Sequence, residues 1–288
     1  MESLLMVFGN STEEKNYEEM NLWYGWVHIR DVLTMKAANV VQRFELSDYQ
    51  PKNADLSHKV LACYEIPDVN YCNVAHLKRL SSWKMDISTS FDTLSYIESH
   101  WLPLDGASRY NHATWQEFAD YAGDKGIFTV KLKAKSDVQV KDYFDFEMLK
   151  KLAALPGFTA CHLFEYHEEI QMPVFPPPVE PWDCNLVCQI NNCYAVAREW
   201  DNLLDSNPEI AEKFEMSACV FKPMMDRIRD IELFKCAEWR AIQALAHLIQ
   251  VDKEGRINPR FEDIGVDIAD VVPQEILDIP NRDFFVQK

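Results

Sequence analysis

Apolar and polar positions along the chain change period in a regular way. Leu4–Phe8 is a short apolar run and reads as a strand. Over Glu18–Met35, Leu22, Trp26, Ile29 and Leu33 fall at helical spacing and predict a helix. Val40–Leu46 and Val60–Ile66 read as strands. Asn73–Trp83 reads as a helix with Asn73 as its N-cap, and Leu94–Leu102 as a fourth strand. The same order then recurs. Ile127–Lys135 alternates as a strand does, and Lys141–Leu155 is a helix stopped by Pro156-Gly157. Phe158–Tyr166 and Asn185–Ile190 are strands, and Tyr194–Leu204 is a helix. After the breaker Ser206-Asn207-Pro208 come a short helical piece, Glu209–Phe214, and a last strand, Ser217–Lys222.

Each half thus reads β-α-β-β-α-β, the ferredoxin-like arrangement, and the fold class expected is α+β. A faint internal repeat supports the division. Residues 35–46 align with 155–166 at a constant shift of 120, and Leu61-Ala62-Cys63 aligns with Leu186-Val187-Cys188 at 125. The domains expected are residues 1–110, 111–230 and a C-terminal piece, 231–288. That piece holds an amphipathic helix, Ile231–Val251, and an irregular tail. Met172–Trp182 carries five prolines and reads as an extended polyproline loop or, alternatively, a docking motif.

Composition narrows the function. The chain has 288 residues, 29 Lys plus Arg and 46 Asp plus Glu, for a net charge of −17. That balance disfavours nucleic acid and anionic membrane surfaces, which select positive patches. No run approaches the roughly 18 apolar residues of a membrane span, so a cytoplasmic protein is expected. The eight cysteines lack the spacing of a metal site or a disulfide framework and read as reduced core thiols. No Gly-rich dinucleotide or phosphate loop, nucleophile elbow or zinc-protease motif occurs. No metal or organic cofactor is expected.

The stretch Leu22-Trp23-Tyr24-Gly25-Trp26-Val27-His28-Ile29 resembles the W-Y-x-x-x-H helix of EthD-like proteins, in the dimeric α/β-barrel superfamily. Leu155-Pro156-Gly157-Phe158 is similar to the turn that follows that helix in the family, although here it stands in the second half. The resemblance implies two ferredoxin-like sheets face to face around a cavity, with helices outside. Two units in one chain would close that barrel within a monomer, or pair with a second chain as a homodimer. The resemblance also implies a choice among cofactor-free cyclases, dehydratases, decarboxylases and monooxygenases, often on polyketide-like substrates of secondary metabolism. Other members bind haem or are small stress proteins.

His28 occupies the family's histidine position, flanked by Trp23 and Tyr24. Its near-neutral pKa suits proton transfer, and Asp31, one turn along, is placed to orient it. A packing role against a strand is the alternative. Alternation puts Tyr96, Glu98 and His100 on one face of a strand, an odd set to bury under helices and a fitting one for a polar cavity. His100 or Tyr96 would assist His28; a structural hydrogen-bond network is the other reading. His162, Phe164 and Tyr166 share a face in the second half and would line the cavity from the opposite side, across from Gln42, Phe44 and Leu46. The function expected is a cofactor-independent acid/base lyase or cyclase on an apolar, oxygenated small molecule. A cofactor-free monooxygenase and a non-catalytic binding or interaction protein are the alternatives.

Overall fold

The computed structural model describes residues 1–34, 37–74, 88–104, 126–135, 137–171, 182–224 and 228–229. Most of the expected Asn73–Trp83 helix lies outside these residues, as do nearly all of the proline-rich segment, the Ile231–Val251 helix and the tail.

Eight strands carry the fold: β1 (Ser3–Gly9), β2 (Val40–Leu46), β3 (Val60–Ile66), β4 (Ile97–Pro103), β5 (Gly126–Ala134), β6 (Phe158–Tyr166), β7 (Cys184–Ile190) and β8 (Phe214–Pro223). A short β9 (Ile228–Arg229) pairs with the start of β2. The first half runs β2-β3-β1-β4 across the sheet and the second β6-β7-β5-β8. Two seams join the halves. Trp101 to Pro103 pair with Phe164 to Tyr166, and Phe44 to Leu46 pair with Phe221 to Pro223. Because β2 also pairs with β3, the sheet returns on itself as an antiparallel ring.

Helices cover the outside. The expected Glu18–Met35 helix is observed as Tyr17–Trp23, one π-helical turn over Tyr24–His28, and Ile29–Thr34. The Lys141–Leu155 helix divides into Val140–Tyr143 and Phe146–Ala153. Phe144 leaves helical geometry there, and Asp145 starts the second piece as an N-cap, its Oδ1 accepting from Met148 N at 2.9 Å. Gly157 ends the turn at φ 90°, where a Cβ would meet Asn192 O at 2.9 Å. Helical residues 69–74 begin before Asn73, and the N-cap is Asp68, whose Oδ1 accepts from Tyr71 N at 2.8 Å. β4 begins later than expected because Asp92 turns the chain, accepting from Leu94 N and Ser95 Oγ.

Alternation along the strands separates three cores. The second half packs Phe128, Leu132, Leu149, Leu163, Leu186 and Trp200 between sheet and helices. The first half packs Leu5, Val7, Met20, Ile29, Leu33 and Val41 in the equivalent layer. Inside the ring, Leu4, Met6, Phe44, Trp101, Phe164 and Phe221 meet from both halves. Among the described residues, the middle of the space expected to be hollow between the sheets is occupied by these side chains. An eight-stranded ring is just wide enough for its inward side chains to fill it or for one small ligand, and here large side chains from both halves take the middle. All seven described cysteines are buried free thiols, and among the described residues no helix is long and apolar enough to cross a membrane.

Phe164→Ala removes a ring that the two halves share. It is expected to lower stability by about 3–5 kcal/mol in urea unfolding, the usual cost of an emptied aromatic core site.

Candidate functional site

The outer layer of the first half differs in chemistry from that of the second. On β2, Val41, Arg43 and Glu45 alternate toward the helices while Phe44 points inward. On β3 the outward set includes Tyr64. Register fixes β4 as well: Glu98 stands opposite Val7 and His100 opposite Leu5, and both partners belong to the helix-facing core. Tyr96, Glu98 and His100 do share a face, as alternation indicates. That face lies under the helices and not toward a space between the sheets. The inward set of β4 is Ile97, Ser99 and Trp101, opposite Phe8, Met6 and Leu4.

Arg43 is the centre of this layer, only 2% exposed. Its guanidinium carbon lies 4.4 Å from the centroid of the Tyr24 ring. Its two terminal nitrogens donate to Asn21 O at 3.1 Å and to Asn21 Oδ1 at 2.7 Å. Its Nε is buried with no hydrogen-bond partner among the described residues. Tyr64 OH donates to Tyr24 OH at 3.0 Å, and Tyr17 OH to Glu45 Oε2 at 2.9 Å. Burial lowers the Arg43 pKa, while Tyr24, Tyr64, Tyr17 and Glu45 act to raise it. Burial pushes the phenols up, Tyr17 to about 12, and Tyr64 and Tyr96 likewise above the ordinary phenol range, with Glu98 adding its charge at the last two. These tyrosines are therefore protonated donors, set around a buried cation.

The π turn brings His28 against this group. Its ring centroid lies 4.9 Å from Tyr24, edge to face, and 5.2 Å from Trp23. Phe91 continues the aromatic wall, 5.8 Å from both Trp23 and Tyr24 and 5.4 Å from Tyr96. A π turn inside an α-helix is a costly irregularity, often retained where a helix presents functional groups. His28 is half-buried on this helix, outside the ring. The expectation that its imidazole lines a hollow between the sheets is corrected accordingly. The Asp31 side chain lies outside the described ones.

His100 shares the face but is fully engaged. Ser3 Oγ lies 2.9 Å from its Nδ1 and Asn73 Oδ1 lies 3.2 Å from its Nε2. Asn73 Nδ2 donates to Ile170 O, so Oδ1 is its acceptor and Nε2 carries the proton. Burial holds this imidazole down to about 4. It is a neutral tether across β1, β4 and the helix at residues 69–74. His162, Phe164 and Tyr166 do share the inward face of β6, but that face belongs to the packed interior. Tyr166 lies 5.6 Å from Trp101, His162 lies 6.5 Å from Phe164, and His162 is 4% exposed.

The structure thus brings His28, Trp23, Tyr24, Tyr96 and Glu98, expected around a cavity between the sheets, into one helix-covered layer, together with Arg43, Tyr64, Asn21 and Phe91, which sequence reasoning missed. Arg43 was legible. In Val40-Val41-Gln42-Arg43-Phe44 it falls on the face opposite Gln42 and Phe44, where a covered strand carries an apolar residue. At the shift of 120, Leu163 stands in its place in the second half and Met148 in that of His28; both pack against an apolar core.

No family model matches the chain, and no curated protein matches it in sequence. Among solved structures it is similar to an anthrone oxidase-like protein, at 12% identity and a TM-score of 0.47, over 79% of this chain and 92% of that one. A heme-binding protein from Thermus thermophilus gives 10% identity and 0.44, over 78% and 91%. A chlorite dismutase variant from Candidatus Nitrospira defluvii gives 7% and 0.44, over 78% and 93%.

The His100 tether sets a pH dependence. Unfolded, its imidazole takes up a proton near 6.5; folded, it resists until about 4. The unfolded state binds more protons in that window, so stability is full above pH 6.5 and falls as the pH drops toward 4. His100→Gln is expected to cost about 1–2 kcal/mol at pH 7 through the lost hydrogen bonds. It should also flatten the decline between pH 6.5 and 4 in urea unfolding series.

Proposed function

We propose that the chain is a cofactor-independent acid/base enzyme, a cyclase, dehydratase or related lyase, acting on an apolar, oxygenated, polyketide-like small molecule. The site is the helix–sheet layer of the first half. The same reading takes the chain as a tandem relative of EthD-like proteins, with repeats over 1–110 and 111–230, working as a monomer or a homodimer. The observation that carries it is the buried Arg43, set among phenols beside an imidazole, in a layer whose counterpart in the second half is apolar.

The chemistry follows from that set. His28, half-buried, takes a proton from a carbon next to a carbonyl. The enolate oxygen that forms needs positive charge and hydrogen-bond donors already in place, and Arg43 with the Tyr24–Tyr64 phenols supplies both. Trp23 and Phe91 offer flat apolar walls for the substrate. Tyr96, beside Glu98, is a protonated phenol available to return a proton to a departing oxygen. A cofactor-free oxygenase would start from the same enolate and deliver it to dioxygen.

The test is turnover of a linear poly-β-ketone probe by the full chain. Cyclised or dehydrated product without oxygen uptake is expected, and His28→Ala should slow its formation by about 10²–10⁴-fold while leaving thermal unfolding nearly unchanged. Stoichiometric oxygen uptake would establish the oxygenase instead. Full activity in His28→Ala removes that residue from the mechanism. Probe bound but released unchanged identifies a binding protein.

A further inference from the structure

A second group of reactive side chains lies on the other side of the sheet, at one mouth of the ring. β5 sends Thr129 and Lys131 inward, opposite Cys219 and Ser217 of β8. Lys131 is 8% exposed, and its Nζ lies 4.0 Å from the centroid of the Phe8 ring. No hydrogen bond or ion pair engages this amine among the described residues, whereas buried lysines ordinarily require one.

The chain between β2 and β3 folds over the mouth. Ala54 bridges to Ala218, and Asp55 N donates to Ala218 O at 3.0 Å. The Asp55 carboxylate accepts from Ser57 N at 3.0 Å and from Ser217 Oγ at 3.1 Å. Burial works to raise its pKa, but these bonds and the Lys131 charge outweigh it, so Asp55 stays ionised. His58 bonds Ser95 O through Nε2 and Ser57 Oγ through Nδ1, each at 2.9 Å. Burial holds it below its usual range, and it is neutral. Burial likewise pushes the Cys219 thiol up to about 12. Between Phe8, Asp55, His58, Thr129, Lys131 and Ser217 remains a hollow with about 10 Å³ open to the centre of a water-sized particle, the space of about one water.

We infer that this mouth is a carbonyl-capturing site, in which Lys131 Nζ forms a Schiff base with a short, unbranched aldehyde. The hollow has the space of about one water, so a bulky group beside the carbonyl would have no room next to the amine. The amine first gives a proton to solvent. Its lone pair then forms the C–N bond while the C=O π pair moves to oxygen, which takes up a proton. Thr129 lines the same hollow and offers a hydroxyl to that oxygen. The nitrogen releases one of its two protons and regains a lone pair, a second proton reaches the oxygen, the C–O bond breaks, water leaves, and the nitrogen pair closes C=N. The net change is aldehyde plus ammonium to iminium plus water, with no oxidation or reduction. The iminium keeps its charge where the ammonium held it, over the Phe8 ring and near Asp55. Burial lowers the Lys131 amine to about 8, so roughly one in ten is free base at pH 7, against fewer than about one in a thousand exposed lysines.

The test treats the full chain with propionaldehyde and cyanoborohydride at pH 7 and maps the propyl adducts by peptide mass. Lys131 is expected to react at least about tenfold faster than exposed Lys15 and Lys52, with a rate that rises through a midpoint near pH 8. Lys131→Arg should lose the fast adduct and leave the surface rates unchanged. Trimethylacetaldehyde, branched beside its carbonyl, should show no preference for Lys131. Labelling of Lys131 no faster than the surface lysines, or a midpoint near that of an exposed lysine, overturns the assignment in the wild-type protein alone. Equal preference for the branched aldehyde overturns its restriction to slim ligands.

Discussion

The two seams, where β4 meets β6 and β2 meets β8, decide what the rest of the molecule has to be. A four-stranded ferredoxin-like sheet buries one face under its own helices and leaves the other bare. Here each half covers the bare face of the other. Among the described residues, that leaves the middle of the ring to inward side chains packed at the density of any interior. Leu4, Met6, Trp101, Phe164 and Phe221 occupy it. The layers available for chemistry are then the outer ones, beneath the helices, and the mouths of the ring.

The two outer layers divide that work unequally. In the second half, Phe128, Leu149, Leu163 and Trp200 form an apolar layer with the Asn192-capped helix Cys193–Ser206 above it. Such a layer stabilises and does little else. In the first half, Arg43, Tyr24, Tyr64 and His100 occupy comparable space. A buried guanidinium costs several kcal/mol of desolvation, offset here by Asn21 and the Tyr24 ring. A chain that keeps that arrangement in one half and an apolar layer in the other has concentrated polarity in one place.

The strand pattern was largely legible in the sequence. β2, β3 and β6 match their expected limits, and the shift of 120 pairs residues that face the same way: Gln42 with His162, Phe44 with Phe164. The shift of 125 does not. It lays Leu61, which faces inward, on Leu186, which faces the helices. A short apolar triplet cannot reveal its face when both sides of a strand are buried. The same ambiguity explains β4. Alternation grouped Tyr96, Glu98 and His100 correctly, but which face is covered depends on pairing with β1. Arg43 was legible as a charge on a face of β2 that a covered strand keeps apolar, but what it does there depends on Tyr24 and Asn21 across the layer, which local pattern does not contain. Lys131 in Lys131-Leu132-Lys133 looks like an ordinary solvent-side charge until the ring closes over it.

Among the described residues each seam pairs its two strands at three positions, with a few flanking hydrogen bonds, whereas β5 and β8 pair over eight. Fluctuations should therefore part the ring along its joints before they unravel either half, and each parting would leave two bare strand edges side by side. The same edges, presented by separate copies, are complementary by construction. A population of molecules opened at both joints would thus have a ready route to exchanging halves, with the hand-over governed by concentration and not by any change in the folded units.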